Sequence, residues 1–193
     1  VSGSGHRDST LKIWNLETGE CIQTLEGHSS YITTINPIND DIFVTTSYDE
    51  TIKVWSLKSK TCLYTLDEAK TCIYSSCLMN EDTLITGCGD KTIKIWSLSK
   101  KAILKTLTGH TASIFSIVKI NDDVFLTGSE DFTTKVWSFK DGICIATLEG
   151  HTGGVYVHRK YNDDIFFSGS ADNSVKVWSL KDLKCLETLE GHS

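Results

Sequence analysis

The chain has 193 residues, 39% of them hydrophobic, with 25 Asp and Glu against 19 Lys and Arg, for a formal net charge of −6. That length can bury a core, and seven Phe with five Trp argue against disorder; no apolar run approaches the roughly 20 residues a helix needs to cross a bilayer, which excludes a helical membrane protein. The acidic balance, with Arg7 and Arg159 beside scattered lysines, also speaks against nucleic acid, because phosphates call for clustered cations.

Repetition governs the rest of the reading. The tryptophans stand at 14, 55, 96, 137 and 178, each 41 residues from the next. Six residues before each lies an Asp (Asp8, Asp49, Asp90, Asp131, Asp172), and four before that a small hydroxyl (Ser4, Thr45, Thr86, Thr127, Ser168). Gly-His pairs recur in phase at 27–28, 109–110, 150–151 and 191–192, whereas the third repeat has Glu68-Ala69 in that place.

Taken along the chain, the units are 1–28 (partial), 29–69, 70–110, 111–151 and 152–192. Residue 1 falls inside the second strand of the first unit. In the later units Asn39, Asn80, Asn121 and Asn162 each open a turn, through a left-handed backbone or an Asx bond, ahead of a short apolar strand such as 42–44, 124–126 or 165–167. Thr-Ile-Lys-Val-Trp (51–55), with relatives at 92–96 and 174–178, predicts the next strand, and Cys-Leu-Tyr-Thr-Leu (62–66) a fourth. No segment keeps a 3.6-residue apolar period for long enough to form a helix. Four short antiparallel strands per unit is the design of a propeller blade, and the count is nineteen strands, one fewer than five full blades.

The set His28, Thr45, Asp49 and Trp55 places a base, a hydroxyl and a carboxylate in one unit, as a nucleophilic triad would. It returns as His110, Thr127, Asp131 and Trp137, and again as His151, Ser168, Asp172 and Trp178. Catalysis needs one site, so the repetition points to structural tetrads in which indole N–H, hydroxyl, imidazole and carboxylate satisfy one another between blades. The third unit, without its histidine, should be the softest. Cys21, Cys62, Cys144 and Cys185 share one phase with Ile103, which predicts a small apolar core slot holding free thiols; seven cysteines, an odd number, fit a reducing compartment. Cys72, Cys77 and Cys88 lack zinc-ligand spacing, and His6 and His158 are expected to be local turn or strand residues. No metal, cofactor or small-molecule substrate is expected.

Gly-His, strand, Asn-Asp turn, strand, Ser/Thr-Gly-Ser-x-Asp and Ile-Lys-Val-Trp resemble the WD40 repeat over essentially the whole chain, although Asn15 or Ser (56, 97, 138, 179) follows each Trp where that family has Asp. Thr18–His28 has the texture of the F-box/WD and TRAF/WD propellers. The resemblance implies an all-β WD40 β-propeller of about five blades, a fragment of a commonly seven-bladed ring. It also implies a non-catalytic protein-interaction scaffold, intracellular in the cytoplasm or nucleus. Partners would be proteins or peptides, with no nucleic acid or membrane. The alternative is the substrate-recognition module of a ubiquitin ligase. By the same resemblance, partners dock on the face where the first strand of each blade begins. Positions that vary there include Arg7, Tyr31, Tyr48, Tyr74, Phe115, Glu130 and Tyr156, the candidate partner-binding residues. With Arg7 the only arginine among them, a phosphorylated degron is disfavoured and an apolar or aromatic peptide expected. A chain starting at Val1 suggests a fragment or processed product. The alternatives are a five-blade ring closed by His192 in place of a first-unit histidine, or association with another chain.

Overall fold

The computed structural model describes residues 1–4 and 8–192. Among them are nineteen strands and no helix, hence no helix long and apolar enough to cross a membrane. The first sheet comprises β1 (Ser2–Gly3), β2 (Leu11–Trp14) and β3 (Cys21–Leu25). The second comprises β4 (Ile32–Pro37), β5 (Ile42–Ser47), β6 (Ile52–Ser56) and β7 (Thr61–Leu66); the third, β8 (Ile73–Leu78), β9 (Thr83–Cys88), β10 (Ile93–Ser97) and β11 (Ala102–Leu107). The fourth holds β12 (Ile114–Lys119), β13 (Val124–Ser129), β14 (Thr134–Ser138) and β15 (Ile143–Leu148); the fifth, β16 (Val155–Lys160), β17 (Ile165–Ser170), β18 (Val175–Ser179) and β19 (Lys184–Leu189). Each sheet is an antiparallel meander in chain order. This is a β-propeller array, with β4, β8, β12 and β16 lining the inside, each against the next.

Side chains alternate across a strand, and the middle strands of the second, third and fourth sheets are apolar on both faces because those sheets are covered on both sides. Four apolar seams result. Leu11 and Leu25 of the first sheet meet Phe43 and Trp55 of the second; Val44 and Leu66 meet Leu84 and Trp96; Ile85 and Leu107 meet Phe125 and Trp137; Leu126 and Leu148 meet Phe166 and Trp178. From the second sheet on, the tryptophan of each sheet is thus buried by the sheet before it. Trp55, Trp96, Trp137 and Trp178 are at most 1% exposed, whereas Trp14, with no described sheet in front of it, is 39% exposed. Leu189 ends β19 on the far face at 45%, against 4–5% for Leu25, Leu66, Leu107 and Leu148. Among the described residues, the first and fifth sheets do not meet as neighbours do. His192 is exposed and borders a hollow of about 280 Å3 with Val157 and Val175 on the fifth sheet, so it does not close a five-blade ring onto the first.

Local chemistry sets the turns. Asn39 Oδ1 accepts the amides of Asp41 (2.9 Å) and Ile42 (2.8 Å), and Asn80, Asn121 and Asn162 repeat the Asx turn. These asparagines are not left-handed, contrary to one expected route. Positive φ falls instead at Glu50, Lys91, Phe132 and Asn173, directly after the recurrent Asp, where the carboxylate accepts the next amide and fixes the bend. The serine after Trp has a role of its own: Ser56 Oγ donates to Asp41 (2.8 Å), Ser97 to Asp82 (2.8 Å) and Ser179 to Asp164 (2.9 Å), tying the third strand to the Asn-Asp turn.

The cysteine slot corrects the expectation drawn from its phase. Each Trp pairs with the slot residue across a bulge, as Trp55 with Cys62 and Trp137 with Cys144. The slot lies at the margin of the core: Cys21 and Cys144 are exposed, while Cys62, Cys185 and Ile103 are half-buried and pack on the apolar seams. Each Sγ donates to a carbonyl two residues on, such as Cys62 to Tyr64 (3.3 Å). All seven thiols are free.

Candidate partner-binding rim

Two sets of predicted residues take separate places: the tetrads lie in the seams and the variable aromatics on one rim. In the second sheet, Trp55 Nε1 donates to Thr45 Oγ1 (2.9 Å), which lies 2.7 Å from His28 Nε2, and His28 Nδ1 lies 2.7 Å from Asp49 Oδ2. The carboxylate also accepts the Ser29 amide (2.9 Å) and the Thr51 hydroxyl (2.6 Å). The fourth and fifth sheets repeat this geometry through His110–Asp131 and His151–Asp172, each at 2.7 Å. In this network the hydroxyl donates to Nε2 and the ring donates from Nδ1. Burial raises the cost of charge on Asp49, Asp131 and Asp172, but the hydrogen bonds outweigh it. All three stay below the usual carboxylate range, Asp131 at about 2. Burial dominates for His110 and His151, whose pKa values fall despite the adjacent carboxylates. Each hydroxyl is fully buried, accepts a hydrogen bond from the indole N–H and faces the imidazole, so none of the three is a nucleophile open to solvent. Glycine before the histidine is a steric demand: a Cβ on Gly109 (φ +156°) would meet Trp137 Cη2 at 3.0 Å.

The third and first sheets differ. Trp96 still donates to Thr86 (3.0 Å), but Lys94 turns inward and its buried ammonium reaches Asp90 Oδ2 and Thr92 Oγ1, each at 2.7 Å. Its counterparts Lys53, Lys135 and Lys176 point outward to Thr65, Thr147 and Thr188. A missing histidine is thus replaced by a lysine that the repeat already carried. In the first sheet Trp14 Nε1 donates to Ser2 Oγ (2.8 Å), not to Ser4, which bonds Asp8. His6 and Arg7 lie outside the described residues.

His158 is more than a local strand residue. It is buried in β16, with Nδ1 2.9 Å from Ser116 Oγ and Nε2 2.9 Å from Thr134 Oγ1, both on the fourth sheet. Burial, with His151 and His110 nearby, takes its pKa down to about 3, so it stays neutral. Gly128 makes room: a Cβ there would lie 2.6 Å from the His158 ring. The aperiodicity of His158 was the only sequence signal of this link.

The rim is built by bulges. In β4, β8, β12 and β16 the pairing slips by one residue, between Ile32 and Thr34, Ile73 and Ser75, Ile114 and Ser116, and Val155 and Val157. The extra residues are Thr33, Tyr74, Phe115 and Tyr156. A bulge re-aims its side chain, and three of the four bring a ring to the rim, while Thr33 Oγ1 bonds Thr46 Oγ1 on β5 (2.9 Å). Tyr31, Tyr48, Tyr74, Phe115 and Tyr156 consequently form one chain of ring contacts, with successive centroids 5.4, 5.0, 5.0 and 5.0 Å apart. Tyr31, Tyr48 and Tyr156 are exposed, and Tyr74 and Phe115 half-buried. Burial first, then neighbouring Cys72, raises the phenols of Tyr48 and Tyr74, so both remain neutral donors. Glu130 lies beside this row.

Stacked meander sheets, in-phase buried indoles and polar seams define a β-propeller repeat protein. The WD domain, G-beta repeat family matches residues 19–56, 60–97, 101–138 and 142–179, most of the chain, and the chain belongs to that WD40 family. Each matched unit begins in the outer strand of one sheet and ends in the third strand of the next, so one unit such as 19–56 holds a whole tetrad. Among curated proteins, the chain is 39% identical over 46 residues to "Nuclear distribution protein PAC1" of Arthroderma otae, covering 24% of this chain and 10% of that protein. It is 50% identical over 32 residues to "Lissencephaly-1 homolog" of Heterostelium pallidum, covering 17% and 8%. A further "Nuclear distribution protein PAC1", of Fusarium vanettenii, is 43% identical over 37 residues, covering 19% and 8%. The matches span about a tenth or less of these relatives.

Proposed function

We propose that this chain is a non-catalytic scaffold that holds peptide or protein partners on the aromatic rim, inside the cell. The supporting observation is the continuous row of five rings across four sheets, three of them, Tyr74, Phe115 and Tyr156, at bulges in the inner strands. Rigid rings bury large area at little entropic cost, which makes such a row contact material. The tetrads favour a scaffold over an enzyme, since their hydroxyls and imidazoles are spent on one another. Membership of the WD40 family fits this role, and neither the rim nor the matched relatives support the ubiquitin-ligase alternative.

The test is affinity capture from native lysate with the full-length protein, read by mass spectrometry, comparing wild type, Tyr74→Ala with Phe115→Ala, and Leu63→Ser on the outer edge. The expected result is partners lost from the rim variant and kept by the edge variant, with both proteins folded by near-UV circular dichroism. Parallel loss of stability and capture in the rim variant would place the two rings in the structural core. Capture unaffected by it would end the rim reading.

A further inference from the structure

We propose that the rim takes an extended peptide that lays an apolar stretch on Tyr74 and Phe115 and brings a basic side chain, Lys or Arg, to Glu130. This rests on the rim being the docking surface and adds the chemistry of what docks.

The row is not uniform. At the second sheet Tyr31 and Tyr48 are both aromatic and in ring contact, and form a wall. At the third, the corresponding residues are Cys72 and Gly89. A Cβ on Gly89 would lie 3.2 Å from Tyr74 Cε2, so the tyrosine lies across the glycine and presents its other side outward. At the fourth sheet the pair is Ser113 and Glu130, and at the fifth Gly154 and Ala171. Small residues therefore leave a floor of rings between the tyrosine wall and Glu130.

The far end of that floor carries charge. A Cβ on Gly154 would lie 3.5 Å from Glu130 Cα and 3.6 Å from Tyr156 Cε1, which makes Glu130 and Tyr156 neighbours across a residue with no side chain. After burial and the closer Cys72 and Tyr48, Glu130 also contributes to raising the Tyr74 phenol. The Glu130 carboxylate is exposed and has no ion-pair or hydrogen-bond partner among the described residues. Some exposed carboxylates pair with the chain's own lysines, as in Lys119–Asp122 (2.7 Å) and Lys160–Asp163 (2.6 Å); what sets Glu130 apart from the other unpaired ones is its place at the end of the aromatic row.

An unpaired carboxylate close to Tyr74 and Tyr156 is one half of a cation site: the carboxylate supplies a full charge, and the neighbouring rings supply a quadrupole that attracts a cation. An anionic peptide would meet repulsion here and from a chain of net charge −6. The wall of Tyr31 and Tyr48 fixes direction, with the apolar residues at one end and the cation at the other.

The experiment selects a phage-displayed random dodecapeptide library on the full chain. The best peptide, and its forms with each basic residue changed to Gln or Glu, are then titrated by fluorescence anisotropy. The proteins are wild type, Glu130→Gln, Glu130→Lys, and Tyr74→Ala with Phe115→Ala. The expected consensus has a basic residue next to an apolar run. Neutralising that residue, or Glu130, weakens binding about tenfold, and the two changes together weaken it no further. Glu130→Lys with the Glu peptide recovers binding. Peptides that lose affinity with the two-ring variant but are indifferent to Glu130→Gln overturn the cation site and leave the rim standing. Peptides that bind the two-ring variant as well as wild type, or a selection that yields none, overturn both.

Discussion

Mild acid should loosen the seam between the fourth and fifth sheets before the carboxylates take up protons. His158 sits there, 2.9 Å from Ser116 and 2.9 Å from Thr134, with its folded pKa depressed to about 3 from an ordinary 6.5. Below pH 6.5 the unfolded chain binds a proton that the folded chain refuses. Stability is therefore complete above that value and falls as pH drops, until the folded ring also protonates near pH 3. One unit of difference is worth about 1.4 kcal/mol, so lowering pH from 6.5 to 4.5 costs about 2 to 3 kcal/mol through this residue alone. His110 and His151 are depressed too and act in the same direction. Asp49, Asp131 and Asp172 are also lowered, but they begin to lose their contribution only as pH falls through the carboxylate range. Urea unfolding followed by tryptophan fluorescence at pH 7.5, 6.5, 5.5 and 4.5 measures the slope. His158→Asn should cost about 1 to 3 kcal/mol at pH 7.5, through lost hydrogen bonds and packing, and should flatten the slope below pH 6.5. An unchanged slope in that variant would refute the reasoning.

Three other outcomes follow from the packing. Gly128→Ala drives a methyl to 2.6 Å from the His158 ring and 2.8 Å from Val155 Cγ1, so it should destabilise by about 1 to 3 kcal/mol in the same assay. Lys94→Ala removes a buried ammonium from Asp90 and should cost about 1 to 3 kcal/mol. Lys135→Ala, which removes an exposed hydroxyl contact, should stay within about 0.5 kcal/mol; equal costs in denaturant titrations would deny Lys94 its substitute role. Iodoacetamide followed by peptide mass spectrometry should modify exposed Cys21 and Cys144 within minutes and spare Cys77 and Cys88, whose thiols burial pushes up to about 12 and about 11.

The period made the architecture legible because a constant stride of indoles demands equivalent surroundings, and strand after strand follows its phase. Trp14 shows the limit: equivalence in sequence becomes equivalence in burial only where a neighbouring sheet supplies the cover. The cysteine slot fails for a related reason. Its tolerance of Cys or Ile looks like a core position, yet beside the bulge opposite Trp it is only half-buried or exposed, and a bulge leaves no mark in apolar patterning. Lys94 and Lys135 occupy the same phase, and only the missing histidine, whose space Lys94 fills, separates inward from outward. The rim aromatics were legible as variable positions. Their joining into one row depends on slips in pairing that periodicity does not record.

The bulged residues of the four inner strands stand outside the regular pairing. Thr33, Tyr74, Phe115 and Tyr156 occupy one geometry with different chemistry while the scaffold beneath them is unchanged. Drift at these points can change the surface the array presents without altering how its blades are assembled, so that surface and the construction beneath it are free to evolve on separate clocks.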